Sequence, residues 1–275
     1  DFSDCSQKAV AFAATLALSS LDGSNGFRLD GVATGDQSGR SVSAAGDING
    51  DGHDDLIIGA YRADTNGADA GASYVVFGRD TPFAAIVPLG SLDGSNGFRL
   101  DGTTGSQSGI AVGDVGDIND DGLDDLLIGA PFAVAPGNSV SYVVFGRTTP
   151  FAATLALGGL DGIAGLRLEG PSSTSRLGFS VGKAGDTNGD GIDDLIIGAY
   201  RAGTSGGSGY VVFGQGTPFA SPLSLGGLDG RNGFRLDGAG TNSRAGFSVS
   251  AAGDLNGDGF GDVIVKEGEQ FFGRF

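Results

Sequence analysis

An acidic pattern of nine residues, D-x-N-x-D-G-x-x-D, begins at Asp47, Asp117, Asp186 and Asp254, at intervals of 70, 69 and 68 residues. A chain of 275 residues that repeats itself four times at a near-constant period must be read first as a repeat architecture. The copies account for almost the whole chain, so the expectation is one domain of four repeats at about 11–80, 81–148, 149–216 and 217–275. Each pattern runs into an apolar stretch: "DLIIGA" at 55–60, "DLLIGA" at 125–130, "DLIIGA" at 194–199 and "DVIVKE" at 262–267.

Within one repeat the punctuation is that of short strands. "SLDGSNG" (20–26) is turn chemistry, because Asp-Gly and Asn-Gly tolerate positive φ. "FAATLAL" (12–18) alternates weakly, and "FRLDG" (27–31) reads as a short strand. "SVSAAGD" (41–47) alternates small residues. "DLIIGA" is continuously apolar, as in a strand covered on both faces, and "SYVVFG" (73–78) is β-branched and aromatic. No segment longer than ten residues keeps a 3.6-residue period without Gly, so no helix is predicted. Glycine is abundant, 54 residues, but it accompanies ordered apolar runs and so marks turns rather than disorder. The fold class expected is all-β: a propeller of four four-stranded antiparallel blades whose acid pattern forms hairpin loops. The small residues of "SVSAAGD", "AVGDVGD" and "SVGKAGD" suit an innermost strand crowded at an axis. A stacked β-solenoid is the competing architecture.

The acids carry the chemistry. Positions 1, 3, 5 and 9 are Asp47, Asn49, Asp51 and Asp55; Asp117, Asn119, Asp121 and Asp125; Asp186, Asn188, Asp190 and Asp194; and Asp254, Asn256, Asp258 and Asp262. All are hard oxygen donors, and position 6 is always Gly, where the loop turns. Oxygen donors on a flexible loop suit calcium better than magnesium. Position 7, at His53, Leu123, Ile192 and Phe260, would offer a backbone carbonyl. Position 8 is Gly261 in the last copy while position 9 stays Asp262, so position 9 is the expected ligand and Asp54, Asp124 and Asp193 are not. The first half is EF-hand-like, but position 12 is Ile58, Ile128, Ile197 and Val265, without the Glu and flanking helices an EF-hand needs. A metal-free Asp/Asn/Gly turn is the alternative; four in-phase copies argue against it. The three Asp at positions 1, 5 and 9 of each loop carry −12 against a net charge of −17, and about four calcium ions would bring the balance to −9.

At these residues the chain resembles the FG-GAP repeats of integrin α-subunit propellers and their bacterial relatives. The matching pieces are "GFS" (178–180, 246–248), the acidic loop, and "GAP" (129–131) or "GAY" (59–61, 198–200); the fourth copy reads "VKE" instead. The resemblance implies structural calcium between the innermost strand and the next, seven blades where this chain has repeats for four, and extracellular binding or adhesion. It also implies that "GFRLDG" is an outermost strand following "YVVFG". The N-terminal segment would then be a spare outer strand, and the expectation is that 26–31 pair with 270–275 to close a four-bladed ring, or do so between copies.

Other functions are bounded by composition. A net charge of −17 makes nucleic acid a poor partner, and no apolar run approaches a membrane span. No catalytic constellation is apparent: His53 is the single histidine, without counterpart in other repeats, so no enzyme is expected. Cys5 is the single cysteine, read as a free thiol in an N-terminal tail, with an intermolecular link as the alternative. The start "DFSDCSQK", without any Met in the chain, is expected of a processed product or a fragment, in keeping with secretion or the cell surface. The function expected is a secreted or surface binding module for an unknown extracellular protein or glycan. A structural repeat of a matrix, surface layer or filament is the alternative, and a calcium-stabilised hydrolase or lyase a third. The loops after "LIIGA" differ most between repeats, so Tyr61, Arg62, Phe132, Tyr200 and Arg201 are the expected contacts.

Overall fold

Short strands separated by Gly- and Asp-rich turns can only bury their apolar faces by stacking sheets, and that is what the computed structural model has. It describes residues 14–135, 138–203, 206–268 and 270–274; Cys5 and the first residues of "FAATLAL" lie outside them. The strands are β1 (Arg28–Asp30), β2 (Ser41–Gly46), β3 (Asp55–Ala60), β4 (Ala72–Val76), β5 (Ile86–Pro88) and β6 (Gly97–Asp101). There follow β7 (Val112–Gly116), β8 (Asp125–Ala135), β9 (Asn138–Val144), β10 (Thr154–Ala156), β11 (Gly165–Glu169) and β12 (Leu177–Gly185). The rest are β13 (Asp194–Ala199), β14 (Ser208–Val212), β15 (Leu223–Ser224), β16 (Gly233–Asp237), β17 (Val249–Gly253), β18 (Asp262–Glu267) and β19 (Gln270–Arg274).

The strands form antiparallel meanders. Sheet I runs β2-β3-β4-β6, sheet II β7-β8-β9-β11, sheet III β12-β13-β14-β16 and sheet IV β17-β18-β19. The outer strand of each of the first three sheets comes from the following repeat, as the family order implies. Sheets I and II carry a fifth strand, β10 or β15, added parallel to the outer one. That strand and the short 3-10 turn after it, such as Leu157–Gly159 after β10, were not read from the sequence. Innermost strands β2, β7, β12 and β17 are successive neighbours, so the sheets fan out in a propeller-type arrangement.

Two expectations need correction. The blades are not uniformly four-stranded: sheet IV has three strands among the described residues. Nor, among the described residues, do 26–31 pair with 270–274; Phe275, the last residue of the expected pair, lies outside them. β1 pairs in parallel with β5, the role β6 and β11 play toward β10 and β15, while β19 pairs with β18 alone.

Continuous apolar strands are explained by the stacking. Ile57 of β3 faces a core shared with Leu126, Ile128 and Tyr142 of sheet II, while its neighbour Ile58 faces the opposite core with Tyr74 and Leu89. Sheets II and III enclose a second such core around Leu127, Val143, Leu195 and Tyr210, and sheets III and IV a smaller one around Ile196, Val211 and Val263. Sheet I differs on its outer side. Val42 is 66% exposed and Leu56 38%, whereas their counterparts Val112 and Leu126 in sheet II are 6% and 0%.

Candidate functional site

The acidic loops join β2 to β3, β7 to β8, β12 to β13 and β17 to β18, all at one end of the sheets. Each loop is organised by its own carboxylates. Asp47 Oδ1 accepts the Gly50 and Asp51 N–H groups at 2.8 and 3.0 Å, and its Oδ2 accepts Gly52 N–H at 2.8 Å. Asn49 Oδ1 accepts Asp51 N–H and Asp51 Oδ1 accepts His53 N–H. The other three loops repeat this framework at Asp117, Asp186 and Asp254. Gly52 sits at φ 87°, left-handed backbone that a side chain rarely adopts, which is why position 6 is invariant within the chain.

Position 9 is set deeper. The buried Asp55 accepts Ile48 N–H at 3.2 Å and, from the end of the third strand, Gly78 N–H at 2.8 Å. Asp125 does the same with Ile118 and Gly146, and Asp194 with Thr187 and Gly214; Asp262 accepts Leu255 N–H. Burial pushes Asp55 up to about 7, reinforced by the charges of Asp51 and Asp47 and opposed by the two N–H groups. Burial likewise raises Asp125 to about 8 and Asp194 to about 6. The acids at positions 1, 5 and 9 have no ion-pair partner among the described residues. His53 instead approaches Asp80, at 3.5 Å.

These residues suit a hard cation by their donor chemistry: three carboxylates, an amide oxygen and a position-7 carbonyl per loop. An ionised carboxylate has about four acceptor sites, so the loop N–H groups leave capacity for a metal. No three Asp, Glu, His or Cys groups among the described residues already stand at metal-holding spacing.

Position 8 has a different task, which the sequence comparison between loops did not reveal. Asp124 Oδ2 accepts the Asp47 N–H of the preceding loop at 2.9 Å, so the acid of one sheet clamps the loop of its neighbour. Asp193 holds Lys183 at 2.6 Å beside Gly116 of the preceding sheet. Gly261 closes the series at the third junction, its N–H donating to the Asp186 carbonyl at 2.6 Å.

The repeat-to-repeat contact is also made by glycines. A Cβ at Gly59 of β3 would collide with the carbonyl of Gly109, which leads into β7 at φ 85°. Gly129 meets Gly178 and Gly198 meets Gly246 in the same way. The family model for the FG-GAP repeat matches residues 38–76, 110–144 and 177–212, spans that hold Gly59, Gly129, Gly178 and Gly198 together with the first three acidic loops. The chain carries three FG-GAP repeats. The fourth copy, with "VKE" in place of "GAP", lies outside the match.

The FG-GAP chain is similar to integrin α-subunits. It is 34% identical to human integrin alpha-IIb over 181 residues, 64% of this chain and 16% of that protein. It is 33% identical to integrin alpha-PS5 of Drosophila melanogaster over 179 residues, 62% and 16%. With integrin alpha pat-2 of Caenorhabditis briggsae it shares 28% over 234 residues, 82% and 17%. The chain thus spans about a sixth of the length of these relatives.

At the end opposite the acidic loops, each FG-GAP repeat ties the segment after its second strand to the segment entering its first. Arg62 N–H donates to the Asp36 carbonyl, Phe132 N–H to Ser106 and Arg201 N–H to Ser175. The expected contact residues do gather here. Arg62 lies 5.5 Å over Tyr61, Arg201 5.5 Å over Tyr200, and Arg176 of the third repeat 4.0 Å over Phe132 of the second. Phe179, Tyr200 and Phe247 form one aromatic cluster with centroids 4.8–5.6 Å apart. What sequence reading missed is the contribution of Arg176 and Arg244, which occupy the place of Gln37 and Gln107, all four with φ of 52–59°. Their in-phase position before the motif glycine was the available signal.

Proposed function

We propose that this chain is a calcium-stabilised propeller-type binding module, secreted or displayed at a cell surface. The observation that carries the reading is the recurrence of unpaired carboxylates in one loop framework at one end, beneath divergent aromatic and arginine loops at the other. Asp47, Asn49, Asp51, Asp55 and the His53 carbonyl would hold the ion in the first loop, with the corresponding residues in the others, giving about four ions. Bound calcium would supply positive charge that relieves the repulsion among these acids. The integrin resemblance supports adhesion to an extracellular protein or glycan rather than catalysis.

Calcium binds the folded loop and not the unfolded chain, so it stabilises folding. Extracellular sites often bind at roughly 10⁻⁴–10⁻³ M. At tenfold excess each site would contribute about 1.4 kcal/mol, and four about 5–6 kcal/mol. The test is a thermal melt with calcium, with magnesium and with chelator. Chelation should lower the Tm steeply and magnesium should restore it poorly. An unmoved melting curve would reject calcium as the stabilising ion.

A second reading, a structural repeat in a larger assembly, is favoured by the bare face of sheet I at Val42 and Leu56. Self-association through that face and the free edges of β1 and β19 would appear as concentration-dependent mass in sedimentation.

A further inference from the structure

We propose that the cleft between sheets III and IV, at the end away from the acidic loops, binds an anionic saccharide, a sugar ring bearing a carboxylate. The inference rests on the binding-module reading and names the class of ligand. The cleft encloses about 450 Å³, within the size range of small-molecule sites, and is lined by Tyr200, Arg201, Thr241, Asn242 and Arg244.

The arginines of the outer strands show a contrasting arrangement. On the outer strands Arg28, Arg99, Arg167 and Arg235 each pair with an acid two residues along, at 2.6–2.8 Å. Arg201 and Arg244 come from different sheets to one cleft, and neither has an acidic partner among the described residues. Two guanidinium groups facing one cavity, in a chain of net charge −17, make a local site for an anion; guanidinium forks match carboxylates bidentately. The other junctions lack the pair. Between sheets I and II the place of Arg244 is taken by the uncharged Gln107, and between II and III Arg176 is laid on the Phe132 ring.

The remaining lining selects a sugar over an acidic peptide. Thr241 and Asn242 offer hydroxyl and amide groups, Gly203 and Gly206 offer backbone, and the Tyr200 ring offers one flat apolar surface. That is a surface for a hydroxylated ring; among the described lining residues Tyr200 alone is aromatic or apolar enough to anchor a peptide side chain.

The experiment is calorimetric titration of the full chain, at fixed free calcium, with trigalacturonate, maltotriose and tetraglutamate. Trigalacturonate should bind, and Arg201→Gln with Arg244→Gln should weaken it by about tenfold or more for each charge lost. Arg231→Gln, on an outer turn, should not change it. Arg244→Lys, which keeps the charge and loses the fork, should fall between wild type and Arg244→Gln, and serves if the double variant does not fold. Absence of binding, equal binding of maltotriose, or binding unaffected by the arginine changes would overturn the proposal. Equal binding of tetraglutamate would replace the sugar by an acidic peptide. Melting the same samples with chelator separates the two readings: calcium stabilisation with no saccharide binding rejects this inference alone.

Discussion

At the scale of the residue, the position-9 carboxylates have two duties that can be told apart. Asp55 accepts two buried N–H groups before any metal is considered. Asp55→Ala should therefore destabilise the chain even in chelator, by roughly 2–5 kcal/mol, since each orphaned buried donor costs about 1–3 kcal/mol. The further loss seen only with calcium measures the metal. Asp54→Asn, at an exposed position 8, should leave both urea curves within about 0.5 kcal/mol of wild type. Its counterpart Asp124→Ala should not be silent, because Asp47 N–H loses its acceptor across the sheet junction; about 1–3 kcal/mol is expected by urea denaturation. The loop comparison gave the expectation that position 8 is not a ligand, but a clamp between sheets has no signature within a single loop.

At the scale of the element, the strand pattern was legible because period and composition agree. "DLIIGA" is apolar throughout because both of its faces are covered, and the outer "GFRLDG" follows "YVVFG" in the sheets as the family order implies. The parallel fifth strands were not legible, since "TLA" and "LS" are only three and two residues long, too short to show a period of their own. Nor was the fate of β1, because its parallel pairing with β5 depends on a three-residue segment of the next repeat. The uneven covering of equivalent strands gives a direct test. Leu126→Ala in sheet II should cost about 2–5 kcal/mol in urea unfolding, the usual range for a buried leucine. Leu56→Ala, its counterpart on the bare side of sheet I, should cost about 1 kcal/mol or less in the isolated chain. Equal costs would mean that the outer face of sheet I is covered in solution.

At the scale of the whole molecule, charge and stacking set the behaviour together. Sixteen acids concentrated in four loops at one end are screened by salt when no cation neutralises them. In chelator, the Tm should thus climb with sodium chloride, and it should climb much less with calcium bound; parallel salt dependences would contradict the charge argument. The stacking itself is fixed by backbone against backbone at Gly59 and Gly109, Gly129 and Gly178, Gly198 and Gly246. Gly129→Ala should cost about 3 kcal/mol or more by overpacking, whereas Gly240→Ala, with open space around it, should stay within about 0.5 kcal/mol. A joint made of main chain has the same dimensions whatever side chains surround it. Apolar residues on either side are then free to drift in identity while the pitch between neighbours is conserved. Copying or deleting one unit leaves every remaining joint already fitted, so a chain built this way can change its number of units without redesigning any of them.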